Sequence, residues 1–103
     1  MSVLTVTKEN FQKEILDSSR TVLLDFWATW CGPCMMVAPT VDRIAEQNDN
    51  ILVGKINVDE QPELARTFGI VSIPTFIVIK DGKVSSQAVG VRSENQILEM
   101  IGK

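Results

Sequence analysis

The segment Thr21-Val22-Leu23-Leu24-Asp25-Phe26-Trp27-Ala28 constrains this chain more than any other. Apart from Asp25 it is apolar at odd and even positions alike, so both of its faces must be covered. That is how a central strand of a largely parallel sheet reads. Such a strand needs neighbouring strands at its edges and helices above and below. The remaining sequence supplies them. A short β segment is predicted over about 3–6. A helix follows over about 8–16, with Thr7 as its cap and Phe11, Ile15 and Leu16 as its apolar side. After the central strand, Met36, Val37, Thr40, Val41 and Ile44 recur at helical spacing in a helix over about 33–47. Pro39 sits inside that helix and should kink it. A strand over 51–58 and a short helix over 62–68, stopped by Gly69, come next. Thr75–Lys80 and Lys83–Val89 flank Asp81-Gly82, a pair that supplies the positive φ of a tight hairpin turn. Ser93 and Gln96 match a capping box for a last helix carrying Ile97, Leu98 and Ile101. The order β-α-β-α-β-α-β-β-α implies an α/β fold: one mixed sheet, parallel early and antiparallel late, with helices on both faces.

The chain has 103 residues, 45% of them apolar, which suffices for one core and one domain spanning 1–103. No linker, repeat or low-complexity tract divides it. Net charge is −3 with no basic cluster, so no nucleic-acid partner is expected, since that affinity comes from Lys and Arg neutralising phosphates. The apolar runs are far too short to span a membrane, so no membrane partner is expected either. Residues 1–7 have neither a basic start nor a long apolar run, so no signal peptide is expected, and a cytoplasmic location follows by default.

There are two cysteines, three positions apart, and no histidine. In a reducing compartment, one close pair reads as chemistry rather than as a staple. A bridge closing so short a loop would stabilise the fold by only about 2 kcal/mol in the loop-entropy account. Trp30-Cys31-Gly32-Pro33-Cys34 leaves the buried strand and opens a helix. A cysteine in the first turn faces unpaired N–H groups and the positive end of the helix dipole, both of which favour the thiolate. Cys31 is therefore the candidate nucleophile. Cys34 lies one helical turn further in, within disulfide reach, and is the candidate resolving thiol. Pro33 suits the first turn, where its missing N–H costs nothing, and Gly32 keeps bulk away from the sulfurs. Two other readings exist for a CxxC. A zinc half-site needs two further N or S ligands, and the chain has no other Cys and no His. Two inert core cysteines fit poorly with a helix-terminal position.

The run Phe26-Trp27-Ala28-Thr29-Trp30-Cys31-Gly32-Pro33-Cys34 closely resembles the active-site signature of the thioredoxin family. The resemblance covers nearly the whole chain. It takes in Asp25, Lys55 within Lys55-Ile56-Asn57-Val58-Asp59, Ile73-Pro74-Thr75, the Asp81-Gly82 turn and Gly90. It implies a thioredoxin-like fold and a dithiol–disulfide exchange activity, that of a protein-disulfide reductase and electron carrier in cell redox homeostasis. No bound cofactor and no metal are implied; the redox group is the Cys31–Cys34 disulfide itself. The implied partners are disulfide-containing proteins and a flavin-containing, NADPH-dependent thioredoxin reductase, with this chain a monomer. The resemblance also implies a cis bond before Pro74, beside the disulfide. It implies a docking surface formed by Trp30, Gly32, Pro33, Val58, Ser72, Ile73, Pro74, Gly90 and Val91. Without it, Val58, Ile73 and Val91 read equally well as core.

Asp25 is a carboxylate in a strand buried on both faces, which is costly unless it is protonated or paired. The functional reading is an acid that exchanges a proton with Cys34, tuned by Lys55. The alternative is a structural ion pair. Two positions depart from the family pattern. Met35 stands where many members carry Lys, removing a positive charge near the site, and Ser72 stands where some carry Gly. Met36 reads as core rather than as a soft contact surface. Against the oxidoreductase reading stands a thioredoxin-like binding or subunit module with incidental redox activity. An oxidase or isomerase of an oxidising compartment is disfavoured by the Gly32-Pro33 pair and the N-terminus.

Overall fold

The computed structural model describes residues 2–102. These form a five-stranded mixed sheet in the order β1-β3-β2-β4-β5, with β1 Leu4–Thr5, β2 Thr21–Trp27, β3 Ile51–Asn57, β4 Thr75–Lys80 and β5 Lys83–Val89. Three α-helices, α1 Gly32–Gln47, α2 Pro62–Thr67 and α3 Glu94–Ile101, accompany it. β2 is parallel to β3 and antiparallel to β4, so the doubly apolar segment does lie at the centre. The fold is thioredoxin-like.

Alternation along β2 divides the core. Val22, Leu24 and Phe26 point to one face, where they meet Ile15, Leu52, Ile56, Leu64, Ile77 and Ile79. Leu23 points to the other, among Val37, Val41 and Ile44 of α1, Val53, Phe76, Val78, and Ile97 and Ile101 of α3. Each such large side chain taken fully out of water contributes about 1.5–3 kcal/mol before chain entropy is counted. Asp25 shares the parity of Leu23 and therefore faces the α1 side.

The local signals are mostly met. Asp81 and Gly82 both have positive φ, 51° and 76°, as a two-residue hairpin requires. Ser93 and Gln96 form the reciprocal capping box of α3. α1 runs unbroken through Pro39, which lies on its exposed side. The expected helix over 8–16 needs correction: 8–10 is a turn, and Phe11–Leu16 is a π-helix. Asn10 explains the delay. Its side chain accepts from Thr7 N–H at 2.9 Å and donates to Thr5 O at 2.9 Å, closing a turn before any helix can start. Asp17 N–H then reaches back to Gln12 O at 3.0 Å, a wide i→i−5 bond. A second correction concerns Met36, which is 75% exposed. The buried stripe of α1 is Cys34, Val37, Val41, Ile44 and Ala45, and Met36 falls off its flank into solvent.

Candidate active site

β2 delivers the chain to the sheet's end, and a short turn carries it into α1. Cys31 N–H donates to Ala28 O at 3.2 Å, fixing that turn. Cys31 is then the N-cap of α1, in extended conformation, and its Sγ accepts the N–H of Cys34 at 3.2 Å. Serine or aspartate oxygen usually takes this role, so the sulfur occupies the position where a helix stabilises negative charge. No acidic residue in the first turn of α1 competes for it. Cys31 and Cys34 are joined as a disulfide, with their Cα atoms 5.3 Å apart. Both are nearly buried, at 4% and 2% exposure, packed with Ala28 and against Trp27, Val58 and Ile73.

The docking candidates surround this pair unevenly. The Ile73–Pro74 bond is cis, and Ile73 O lies 3.9 Å from Cys31 Sγ. Pro74 is buried, and its carbonyl accepts from Gly90 N–H at 2.8 Å, which brings Gly90 and Val91 to the same end of the sheet. Gly90 has φ of +95°, a conformation that favours glycine. Ser72 is exposed, and its carbonyl accepts from the Thr75 hydroxyl at 2.6 Å. Gly32, Pro33, Trp30 and Val91 are exposed, whereas Val58 and Ile73 are half-buried against the core.

Asp25 is 1% exposed, and among the described residues neither carboxyl oxygen has a hydrogen-bond partner. Burial pushes it up to about 7; Lys55 partly opposes this, and Asp42 on α1 adds to it. Lys55 is Asp25's register partner on β3, yet its ammonium sits 4.5 Å from the centroid of the Trp27 ring. The structural ion pair weighed from the sequence is therefore not formed. No group of three or more His, Cys, Asp or Glu among the described residues could hold a metal ion. No helix among them is long and apolar enough to cross a membrane.

Three participants escape a reading of the sequence. Asp59 accepts from the indole N–H of Trp30 at 2.7 Å. The available signal was Asn57 at a strand end with an acid two residues on: Asn57 Oδ1 accepts from the N–H groups of Asp59 and Glu60, turning Asp59 back toward Trp30. Asp42 acts through space and has no local signature. Val71, 95% exposed, extends the apolar surface beside Ser72.

Disulfides quench neighbouring indoles. Trp27 packs against the Cys31–Cys34 pair while Trp30 is 70% exposed and tied to Asp59. Reduction with dithiothreitol is expected to raise indole emission, with most of the rise lost in Trp27→Phe and kept in Trp30→Phe. The reverse pattern in emission spectra would assign the quenching to Trp30 and overturn this expectation.

A sequence model described as Thioredoxin matches residues 2–103. The chain is 50% identical over 96 residues to a thioredoxin of Chlorobaculum thiosulfatiphilum, covering 92% of this chain and 89% of that one. It is 48% identical over 99 residues to thioredoxin 1 of Synechococcus elongatus, covering 95% and 92%. A bifunctional thioredoxin reductase/thioredoxin of Mycobacterium leprae is 46% identical over 96 residues, which are 92% of this chain and 21% of that protein.

Proposed function

This chain belongs to the thioredoxin family and is a thiol–disulfide oxidoreductase, and from that premise we propose how its residues divide the work. Cys31, as thiolate, attacks one sulfur of a substrate protein's disulfide. A mixed disulfide forms, and the first substrate sulfur leaves and takes up a proton. Cys34 gives up its proton and attacks Cys31 Sγ, expelling the second substrate sulfur, which is protonated in turn. Two thiols are oxidised, one substrate disulfide is reduced, and the Cys31–Cys34 bond closes. Exchange of this kind needs no bound cofactor. The observation that carries the division is the Cys34 N–H donating to Cys31 Sγ at the helix start, which favours charge on one sulfur and not the other.

Asp25 takes the proton of Cys34, and Lys55 tunes it. Its affinity near neutrality and its unpartnered carboxyl oxygens support that role. Trp30, Gly32, Pro33, Pro74, Val58, Ser72, Ile73, Gly90 and Val91 present the substrate's disulfide to Cys31. The dithiol is restored by an NADPH-dependent, flavin-containing thioredoxin reductase, a pairing supported by the relative in which both names appear in one protein. The whole chain acts as one domain, as a cytoplasmic monomer.

A coupled assay tests the reading against a mere binding module. With a thioredoxin reductase and NADPH, this chain is expected to reduce insulin with many turnovers per molecule. Cys31→Ser should reduce none above background. Binding of insulin without NADPH consumption by the native chain would leave only the binding module.

A further inference from the structure

Asp25 and Lys55 face each other across adjacent parallel strands, in register and on the same side of the sheet. Strands lie about 4.8 Å apart, and a lysine's four-carbon stem spans that gap. An ammonium beside a desolvated carboxylate normally pairs with it. Here it does not: both Asp25 oxygens lack a hydrogen-bond partner among the described residues, and Lys55 Nζ lies 4.5 Å from the Trp27 ring centroid, inside cation–π range. Trp27 is two residues from Asp25 on the same strand face, and its ring also packs against the Cys31–Cys34 cluster. Among the described residues, Lys55 is the cation that acts on Asp25. β4 presents Phe76 in register with Asp25, and the charge that acts from α1 is Asp42.

We propose that Trp27 is a positioning residue of the resolving step: its indole holds the Lys55 ammonium off the Asp25 carboxyl group, leaving that group free to take and return a proton. A contact pair would lock Asp25 in its ionised form, unable to return the proton near neutral pH. The ring thus sets how strongly Lys55 is felt, beside the cluster of Ala28, Cys31 and Cys34 against which Trp27 packs. This role rests on Asp25 serving as the proton carrier for Cys34.

The test is the pH titration of the Asp25 carboxyl carbon by NMR in the disulfide form of the full chain. In Trp27→Leu the midpoint is expected to fall by about one pH unit, since an opposite charge at contact lowers a carboxylate by 1–3. Trp27→Phe, which keeps an aromatic face, should retain most of the native midpoint. In a Lys55→Met background, Trp27→Leu should shift nothing further. A midpoint unchanged or raised in Trp27→Leu overturns the proposal. So does an equal fall in the Lys55→Met background, which would mean water entering the gap left by the ring. Fluorinated tryptophan in a Trp30→Phe chain weakens the ring's negative face without changing its packing. It should lower the midpoint stepwise with fluorine count, and no trend would again overturn the proposal. The pH profile of the resolving rate separates the two claims. A displaced titration with an unmoved rate profile removes Asp25 from the step, and Trp27's role with it. An undisplaced titration refutes the ring's hold on Lys55 and leaves Asp25's role standing.

Discussion

Asp25→Asn is expected to stabilise the fold by about 4 kcal/mol above neutral pH and by almost nothing below pH 4. Burial raises Asp25 from an ordinary 3.8 to about 7, so the folded chain binds this proton more tightly than the unfolded one. The stability this group contributes is fully present below the unfolded value. It is lost progressively as pH rises from about 4 to about 7, and levels off once both states are ionised. Each pH unit of the rise is worth about 1.4 kcal/mol, and at 1% exposure there is little solvent to screen it. Asn carries no charge to desolvate, so the variant escapes the loss. The same substitution removes the proton acceptor and should slow the Cys34 step while sparing the attack by Cys31. Urea melts from pH 4 to 9 and single-turnover kinetics read the two halves separately. A variant less stable at every pH and equally fast would make Asp25 a structural residue.

In the reduced protein, iodoacetamide at pH 6.5 is expected to alkylate Cys31 at least about tenfold faster than Cys34. Both residues are buried in the disulfide form, at 4% and 2% exposure, and they differ in their positions on α1. Cys31 Sγ sits at the N-cap of a 16-residue helix and accepts a backbone N–H, whereas Cys34 is inside the first turn and packed among apolar groups. The reagent reacts with thiolate, so the ratio of modified peptides by mass spectrometry reports where the charge sits. Equal rates, or a faster Cys34, would remove the electrostatic basis for assigning the nucleophile.

What the sequence revealed, and what it concealed, follows the range of the forces involved. β2, the start of α1, the Asp81-Gly82 turn and the Ser93/Gln96 box are set by neighbours within a few residues, and their patterns are explicit. The π-helix at Phe11–Leu16 depends on Asn10 tying together Thr5 and Thr7, a loop closure that helical periodicity does not encode. Met36 has the hydrophobicity of a core residue, but its angle on α1 places it outside the stripe that meets the sheet. In the site, Cys31 and Cys34 were legible from spacing and helix position, and Asp25 from its cost in an apolar strand. The seat of Lys55 was not. Which of two neighbours, a carboxylate or an indole, takes a lysine's ammonium depends on a contact between β2 and β3 that no local rule fixes.

The order of attack is the centre of the account, and trapping tests it directly. Cys34→Ser and Cys31→Ser chains, incubated with oxidised substrate proteins, are to be compared for covalent complexes by mass spectrometry under non-reducing conditions. Cys34→Ser should accumulate mixed disulfides through Cys31, because nothing remains to resolve them, while Cys31→Ser should accumulate almost none. Equal trapping by the two variants, or trapping by Cys31→Ser alone, would contradict it.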